Sequence, residues 1–310
     1  MDVLMGLVKL LIFPGALYLL ATALFLTWVD RKMVALWQGR VGPPVFQPLA
    51  DVIKLLAKED ITTVGTDRLA SAVLPLLALT CSMTAGLLVP VGHDAVSSFE
   101  GDLIVALFLL SLPTQALFLA GWLSGSVYSV LGGNRALLQY FSYEVPLLLG
   151  AAAPGVLRQS WSIAALADAQ VGWHWHLFVL PLGFGIATLG LIGKLERVPF
   201  DIPHAKSEVG AGPLTEYSGR RLALWRLTGQ IQTLVGINLL VAIYLGGADG
   251  VWGQWGVLIY ALKVLVFMVG LTVIEVLYAR LRIDQMADIG WRLLAPLGLV
   301  QMLVALWLGR

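Results

Sequence analysis

The chain has 310 residues, 58% of them hydrophobic and only 13% charged, with a mean hydropathy of +0.84 and a formal net charge of +1. A soluble domain carries charge on roughly a quarter of its residues, and this many apolar side chains in water would form large adhesive patches; a lipid bilayer is the solvent that fits. A net charge near zero implies no nucleic-acid partner, and the single cysteine, Cys81, excludes both an internal disulfide and an iron–sulfur cluster, which takes about four thiolates.

Apolar stretches of about 20 residues, the length that crosses a bilayer, fall in chain order at 3–29, 69–91, 102–122, 137–157, 176–193, 228–246, 255–278 and 291–309. The expectation is an all-α, polytopic integral membrane protein with about eight transmembrane helices, forming one membrane domain over 1–310. The first stretch is followed by Asp30-Arg31-Lys32 and has no basic segment ahead of it, which fits a retained helix better than a cleaved signal peptide. Basic residues orient such chains. With the N-terminus outside, sixteen lysines and arginines fall on the inner side and only Arg158 and Arg310 on the outer, with Lys9 and Lys263 left inside spans. That bias predicts a cytoplasmic (inner) membrane protein whose large loops, 30–68 and 194–227, are cytoplasmic. Trp28, Trp122, Trp173, Trp175, Trp252, Trp255 and Trp291 fall near span ends, as interfacial anchors do.

The first large loop contains Gly42-Pro43-Pro44, which cannot continue a helix. After it, Leu49, Val52, Ile53, Leu55 and Leu56 alternate with Asp51, Lys54 and Lys58 in the pattern of an amphipathic helix. Such a helix either lies on the membrane surface or receives a soluble partner. The second large loop holds Glu196, Asp201, Glu208 and Glu216 among six bases and three prolines, with Phe200, Ile202, Val209, Leu214 and Tyr217 interleaved. If these apolar residues pack, the carboxylates are partly desolvated and their pKa values move, which is what a proton relay requires. The alternative is a solvated, salt-bridged loop.

Charges inside spans carry a high cost and usually a function. Glu144 lies about seven residues into its span, roughly 10 Å deep, and Lys263 about eight residues in, roughly 12 Å deep. Glu275 sits near the inner end of the helix that carries Lys263, and Lys9 is close enough to an end to snorkel. His93, His174, His176 and His204 all fall in loops or at span edges and form no intramembrane pair, so they do not read as haem ligands; the close pair His174 and His176 reads as interfacial polarity rather than a metal site. Phosphate-binding, dinucleotide-binding and nucleophile-elbow motifs are absent.

Several stretches carry a resemblance: Gly42-Pro43-Pro44, Gln47-Pro48-Leu49-Ala50-Asp51 with Lys54 and Lys58-Glu59; Gly133-Asn134-Arg135-Ala136 with Ser142-Tyr143-Glu144; Pro199-Phe200-Asp201 with Glu208, Gly212 and Glu216-Tyr217-Ser218; and Lys263 to Glu275 with Ala279-Arg280-Leu281-Arg282. In these the chain resembles the subunit 1 family of complex I, including its homologues in energy-converting, membrane-bound NiFe hydrogenases. The resemblance implies a subunit without an active centre or bound cofactor of its own. It would anchor a hydrophilic arm whose NiFe large-subunit-like and iron–sulfur small-subunit-like proteins carry the NiFe and 4Fe-4S centres, and it would adjoin antiporter-like membrane subunits. Carried over residue by residue, Glu144, Asp201, Glu208 and Glu216 would be proton-responsive carboxylates, with Arg135 and Arg197 as charge partners and Glu196 beside them. Lys263 and Glu275 would extend the polar path, and Arg40, Asp51, Lys54 and Arg220 would meet the soluble arm. Quinone-reducing members often read Gly-Pro-Asn-Arg-Val-Gly-Pro where this chain has Gln38-Gly39-Arg40-Val41-Gly42-Pro43-Pro44, and tend to have a glutamate where it has Lys194. Those departures, with Gly212-Pro213-Leu214-Thr215-Glu216-Tyr217-Ser218-Gly219, are more similar to the hydrogenase branch. A quinone oxidoreductase subunit is the alternative. A free-standing ion transporter ranks below both, because no inverted repeat is visible.

Overall fold

The computed structural model describes residues 2–63, 65–91, 95–170, 172, 174–205, 208, 210–248 and 255–309. The expectations for His93, Trp173, Lys206, Val209, Trp252 and Arg310 lie outside the described residues.

The chain is helical throughout the described elements: α1 (Asp2–Leu11), α2 (Ala16–Trp37), α3 (Gln47–Ala57), α4 (Arg68–Leu88), α5 (Asp102–Trp122), α6 (Val127–Arg158), α7 (Ile163–Asp168), α8 (His176–Val179), α9 (Pro181–Lys194), α10 (Gly219–Tyr244), α11 (Gly256–Leu277), α12 (Ile283–Asp288) and α13 (Ala295–Leu308). A short 3-10 turn (Gly212–Leu214) precedes α10, and a π-helical turn (Ile289–Leu294) joins α12 to α13. Among the described residues, six helical segments are long and apolar enough to cross a membrane: Val8–Trp37, Arg68–Leu88, Asp102–Trp122, Gly219–Tyr244, Gly256–Leu277 and Ile283–Leu308. The other two expected spans fall on α6 and α9.

Three boundaries differ from expectation for identifiable reasons. The expected helix over 3–29 breaks at Phe13-Pro14-Gly15, where proline supplies no N–H and the chain restarts as α2. The expected span 176–193 is likewise split at Leu180 ahead of Pro181. The expected inner loop 123–136 is mostly the first turns of the 32-residue α6, so Arg135 stands on a helix and not in a loop. α2 ends at Trp37, with Gly39 just beyond it at a φ of 71°; Gly42-Pro43-Pro44 lies in the linker that follows, and α3 comes next as the amphipathic helix. It buries Val52 and leaves Leu49, Ile53 and Leu56 exposed.

α10 is the axis of the bundle. Its residues from Thr233 to Tyr244 are buried without interruption and, Thr233, Asn238 and the Tyr244 hydroxyl apart, are apolar on every side, as befits a helix surrounded by others. Around it pack α2, α4 and α11, while α6 pairs with α9 and α13. The α6–α9 contact depends on glycine. A Cβ on Gly190 would lie 2.8 Å from Leu147 Cβ, one on Gly193 2.8 Å from Tyr143 Cβ, and one on Gly150 2.8 Å from the Ala187 nitrogen. Small residues let the backbones approach where lipid supplies no hydrophobic drive between helices. This close packing sets the distance between Glu144 on α6 and Lys194 at the end of α9.

Candidate functional site

Among the described residues, the end of the bundle that carries residues 30–68 and 194–227 brings eleven ionisable groups together in five clusters. The deepest is Glu144 with Lys194. Their side chains are 8% and 2% exposed, and Lys194 Nζ donates to Glu144 Oε2 at 2.8 Å. The ammonium also lies 5.5 Å from the centre of the Tyr143 ring. Enclosing both charges costs their hydration, and their mutual attraction offsets that cost. The counter-ion of Glu144 is therefore Lys194. Neither Arg135 nor Arg197, the charge partners implied by resemblance, reaches it.

Arg197 instead forms the second cluster. Its guanidinium grips Asp30, two turns before the end of α2, with two bonds, Nη2 to Oδ2 at 2.6 Å and Nη1 to Oδ1 at 3.2 Å, the fork geometry that suits a carboxylate. Thr272 Oγ1 donates to the same Asp30 Oδ1 at 2.7 Å, and Glu275 Oε2 stands 3.6 Å from Arg197 Nη1. α2, α11 and the segment after α9 are thus tied at one point. Asp30, Arg31, Arg40 and Glu275 line a neighbouring open cavity of about 390 Å³.

The third cluster is Glu196 with His204, whose Nε2 lies 2.7 Å from Glu196 Oε2. Burial by itself would push the His204 pKa down, but Glu196 and then Asp201 outweigh it and hold the ring above its ordinary value. The fourth is Asp201, 3.9 Å from Arg280 Nη2. The fifth is Arg135, which donates to Glu208 and holds that exposed carboxyl below the usual carboxylate range. Leu281 N donates to Pro199 O at 2.9 Å, so the segment after α11 is strapped to the segment after α9, which brings these last two clusters side by side.

Glu216 lies apart from this chain of pairs. It is half-buried and lines a small crevice with Ser218 and Arg221, next to the pair of Arg221 Nε and Asp60 Oδ2 at 2.9 Å. Ser218 Oγ accepts from Ile61 N at 2.9 Å and donates to Ile61 O at 3.1 Å, clasping the two large loops together. Of the expected docking residues, Arg40, Lys54 and Arg220 are exposed. Asp51 is bound by Arg31 at 2.7 Å and Gln47 at 3.0 Å, and the Arg31 hydrogen bond holds its carboxyl below the usual range.

Lys263 stands at the opposite end, twelve residues and about 18 Å along α11 from Glu275. Its ammonium donates to Leu245 O at 2.6 Å and Gly247 O at 3.0 Å, and lies 4.8 Å from the centre of the Trp175 ring. That is the position of a cation capping the C-terminus of α10. His176 is not interfacial, as its sequence position suggested, but fully buried there. Arg158 Nε donates to its Nε2 at 3.0 Å, and its Nδ1 is 2.8 Å from Ile243 O.

Sequence reasoning missed four members of the site: Asp30, Lys194, His204 and Arg280. Asp30, Lys194 and Arg280 stand on or beside spans and are paired by the packing of α2, α6, α9 and α11, whereas His204 pairs within its own loop, with Glu196 eight residues before it. Among the described residues no three His, Cys, Asp or Glu side chains group closely enough to hold a metal ion.

The family model described as NADH dehydrogenase matches residues 9–306. The chain belongs to that family. Among curated relatives it is 34% identical to an NADH-quinone oxidoreductase subunit of Thermomicrobium roseum, with 93% of each chain covered. It is 33% identical to an NADH-quinone oxidoreductase subunit of the same type in Syntrophobacter fumaroxidans, with 94% of each covered. Among solved structures it superposes on a chain of the membrane-bound sulfane sulfur reductase, described as an archaeal respiratory membrane complex. That match has a TM-score of 0.87 and 24% identity, covering 97% of this chain and 98% of the other, and it establishes the shared fold. The protein is thus the subunit 1-type membrane component of a complex I-like respiratory complex.

Proposed function

We propose that this protein belongs to a complex I-like energy-converting hydrogenase. In this reading it anchors a NiFe and iron–sulfur arm and couples that arm's electron transfer to the translocation of protons or sodium ions. The observation that carries the reading is Lys194. Where quinone-reducing members tend to have a glutamate, this chain has a lysine that neutralises Glu144 in a closed pair. A change of charge at the half-buried cluster of Arg197 with Asp30 and Glu275, or at Arg135 with Glu208, would act on that pair through Coulomb coupling, which is strong where water is scarce. The carboxylates of Glu144, Glu196, Asp201, Glu208 and Glu275 would then respond in sequence. Lys263 would serve the axis by fixing the far end of α10. Arg40, Lys54 and Arg220 would meet the soluble arm, with Asp51 holding α3 to α2. The charge bias of the loops supports placing this end in the cytoplasm and the protein in the cytoplasmic membrane.

The alternative is a quinone oxidoreductase component, and the names of both relatives favour it. Purifying the tagged complex in mild detergent separates the two. A nickel-containing partner with hydrogen evolution supports the hydrogenase reading, whereas quinone reduction without nickel refutes it.

A further inference from the structure

We propose that doubly protonated His204 is a latch that holds residues 194–205 and 210–214 over a cavity beside Lys194, and that loss of its proton releases the latch. The latch itself is argued from geometry alone; only its effect on coupling rests on the function proposed above.

Both ring nitrogens of His204 face acceptors: Nε2 the Glu196 carboxylate at 2.7 Å, and Nδ1 the Ala211 carbonyl oxygen at a longer 3.5 Å. A neutral imidazole has one N–H and one lone pair, so it would turn a lone pair towards one of these oxygens; the imidazolium donates to both. His176 shows the opposite arrangement. Its Nε2 receives the Arg158 N–H, and arginine has no lone pair to offer in return, so the ring is fixed as the neutral form with its proton on Nδ1. One histidine of this chain is built to stay neutral and the other to carry charge.

The charged ring joins three points of the segment, at residues 196, 204 and 211. Glu196 is held at φ 50°, a conformation that residues with a side chain seldom adopt. At Gly212 the backbone passes so close to the Pro203 carbonyl that a Cβ would collide with it. Beneath lies a cavity of about 140 Å³ lined by Lys194, Glu196 and His204. It is polar and roomy enough to hold water beside the ammonium that pairs with Glu144. The charged groups facing His204 among the described residues are Glu196, Asp201 and, across the cavity, Lys194. The walls from α5 (Pro113, Thr114, Leu117) and α10 (Trp225, Thr228, Gln232) are uncharged.

The raised pKa of His204 agrees in sign. A histidine held above its ordinary value of about 6.5 contributes stability that is complete below that value and lost as pH rises through the raised one. Each pH unit beyond that midpoint lowers the latched fraction about tenfold.

The test is a solid-state titration of the purified complex labelled with 15N-histidine, using His204→Gln to identify the resonance. The ratio of ions moved to electrons transferred is measured over the same pH range. We expect an imidazolium signal with a midpoint above about 6.5, a wild-type ratio that falls in the same window, and a ratio in His204→Arg that stays level because its charge is permanent. A midpoint at or below the ordinary histidine value, or a pH profile that His204→Gln leaves unmoved, would overturn the latch. The ring signal is independent of the partner's chemistry, so a failure of the latch is distinguishable from a failure of the hydrogenase reading.

Discussion

Removing one member of the Glu144–Lys194 pair should harm the protein more than removing both. At 2.8 Å, with an effective dielectric of about 20, the two charges attract by about 6 kcal/mol. Desolvating the two ions costs several kcal/mol each, so the intact pair contributes little net stability. Lys194→Met leaves a buried carboxylate and Glu144→Leu a buried ammonium, and each should destabilise by about 3–5 kcal/mol. The double replacement fills similar volume without charge and should recover most of that loss, so the two single losses together should exceed the double's by about 6 kcal/mol, the attraction between the charges. The assay is the fraction of monodisperse protein left after graded heating in detergent, measured for all four members of the cycle. Additive losses would refute the argument, because they would mean that each side chain already reaches water or another partner.

Three further outcomes follow from the geometry. Gly190→Ala places a methyl 2.8 Å from Leu147 Cβ, so it should force α6 and α9 apart at a cost of about 1–3 kcal/mol, seen as a lowered thermal midpoint; an unchanged midpoint would mean the helices give way freely. Lys263→Met uncaps α10, which should cost about 2 kcal/mol and speed amide exchange around Leu245 to Gly247. Unchanged exchange there would count against the cap. Arg31→Ala frees Asp51, and because both side chains are about one-third exposed the loss should stay within about 1 kcal/mol and shrink with added salt. Asp51 has a lowered pKa, so this contribution is present above its ordinary value of about 3.9 and vanishes as pH falls through the lowered one. A thermal stability series below and above that range reads it.

Much of the architecture is legible in the residues. The apolar runs locate the membrane-crossing helices, Gly42-Pro43-Pro44 falls in the linker between α2 and α3, and the spacing from Leu49 to Leu56 makes α3 amphipathic. These are local effects: hydropathy and backbone chemistry act within one segment whatever surrounds it. Reading 3–29 and 176–193 as unbroken helices failed because the runs stay apolar across Pro14 and Pro181, so composition outweighed the missing N–H. The candidate site was legible as a set of charged residues but not as a set of pairs.

What the sequence by itself determined is that this chain lives in a bilayer, which family it resembles, and which carboxylates are costly to place there. Only the tertiary structure decided that Glu144 belongs to Lys194, Arg197 to Asp30, and His204 to Glu196, and that Lys263 caps a helix. The physical reason is distance. The partners of Glu144 and Arg197 lie 50 and 167 residues away, and the close approach of α6 and α9 that makes the first pair depends on glycines whose meaning appears only when the facing backbone is in place.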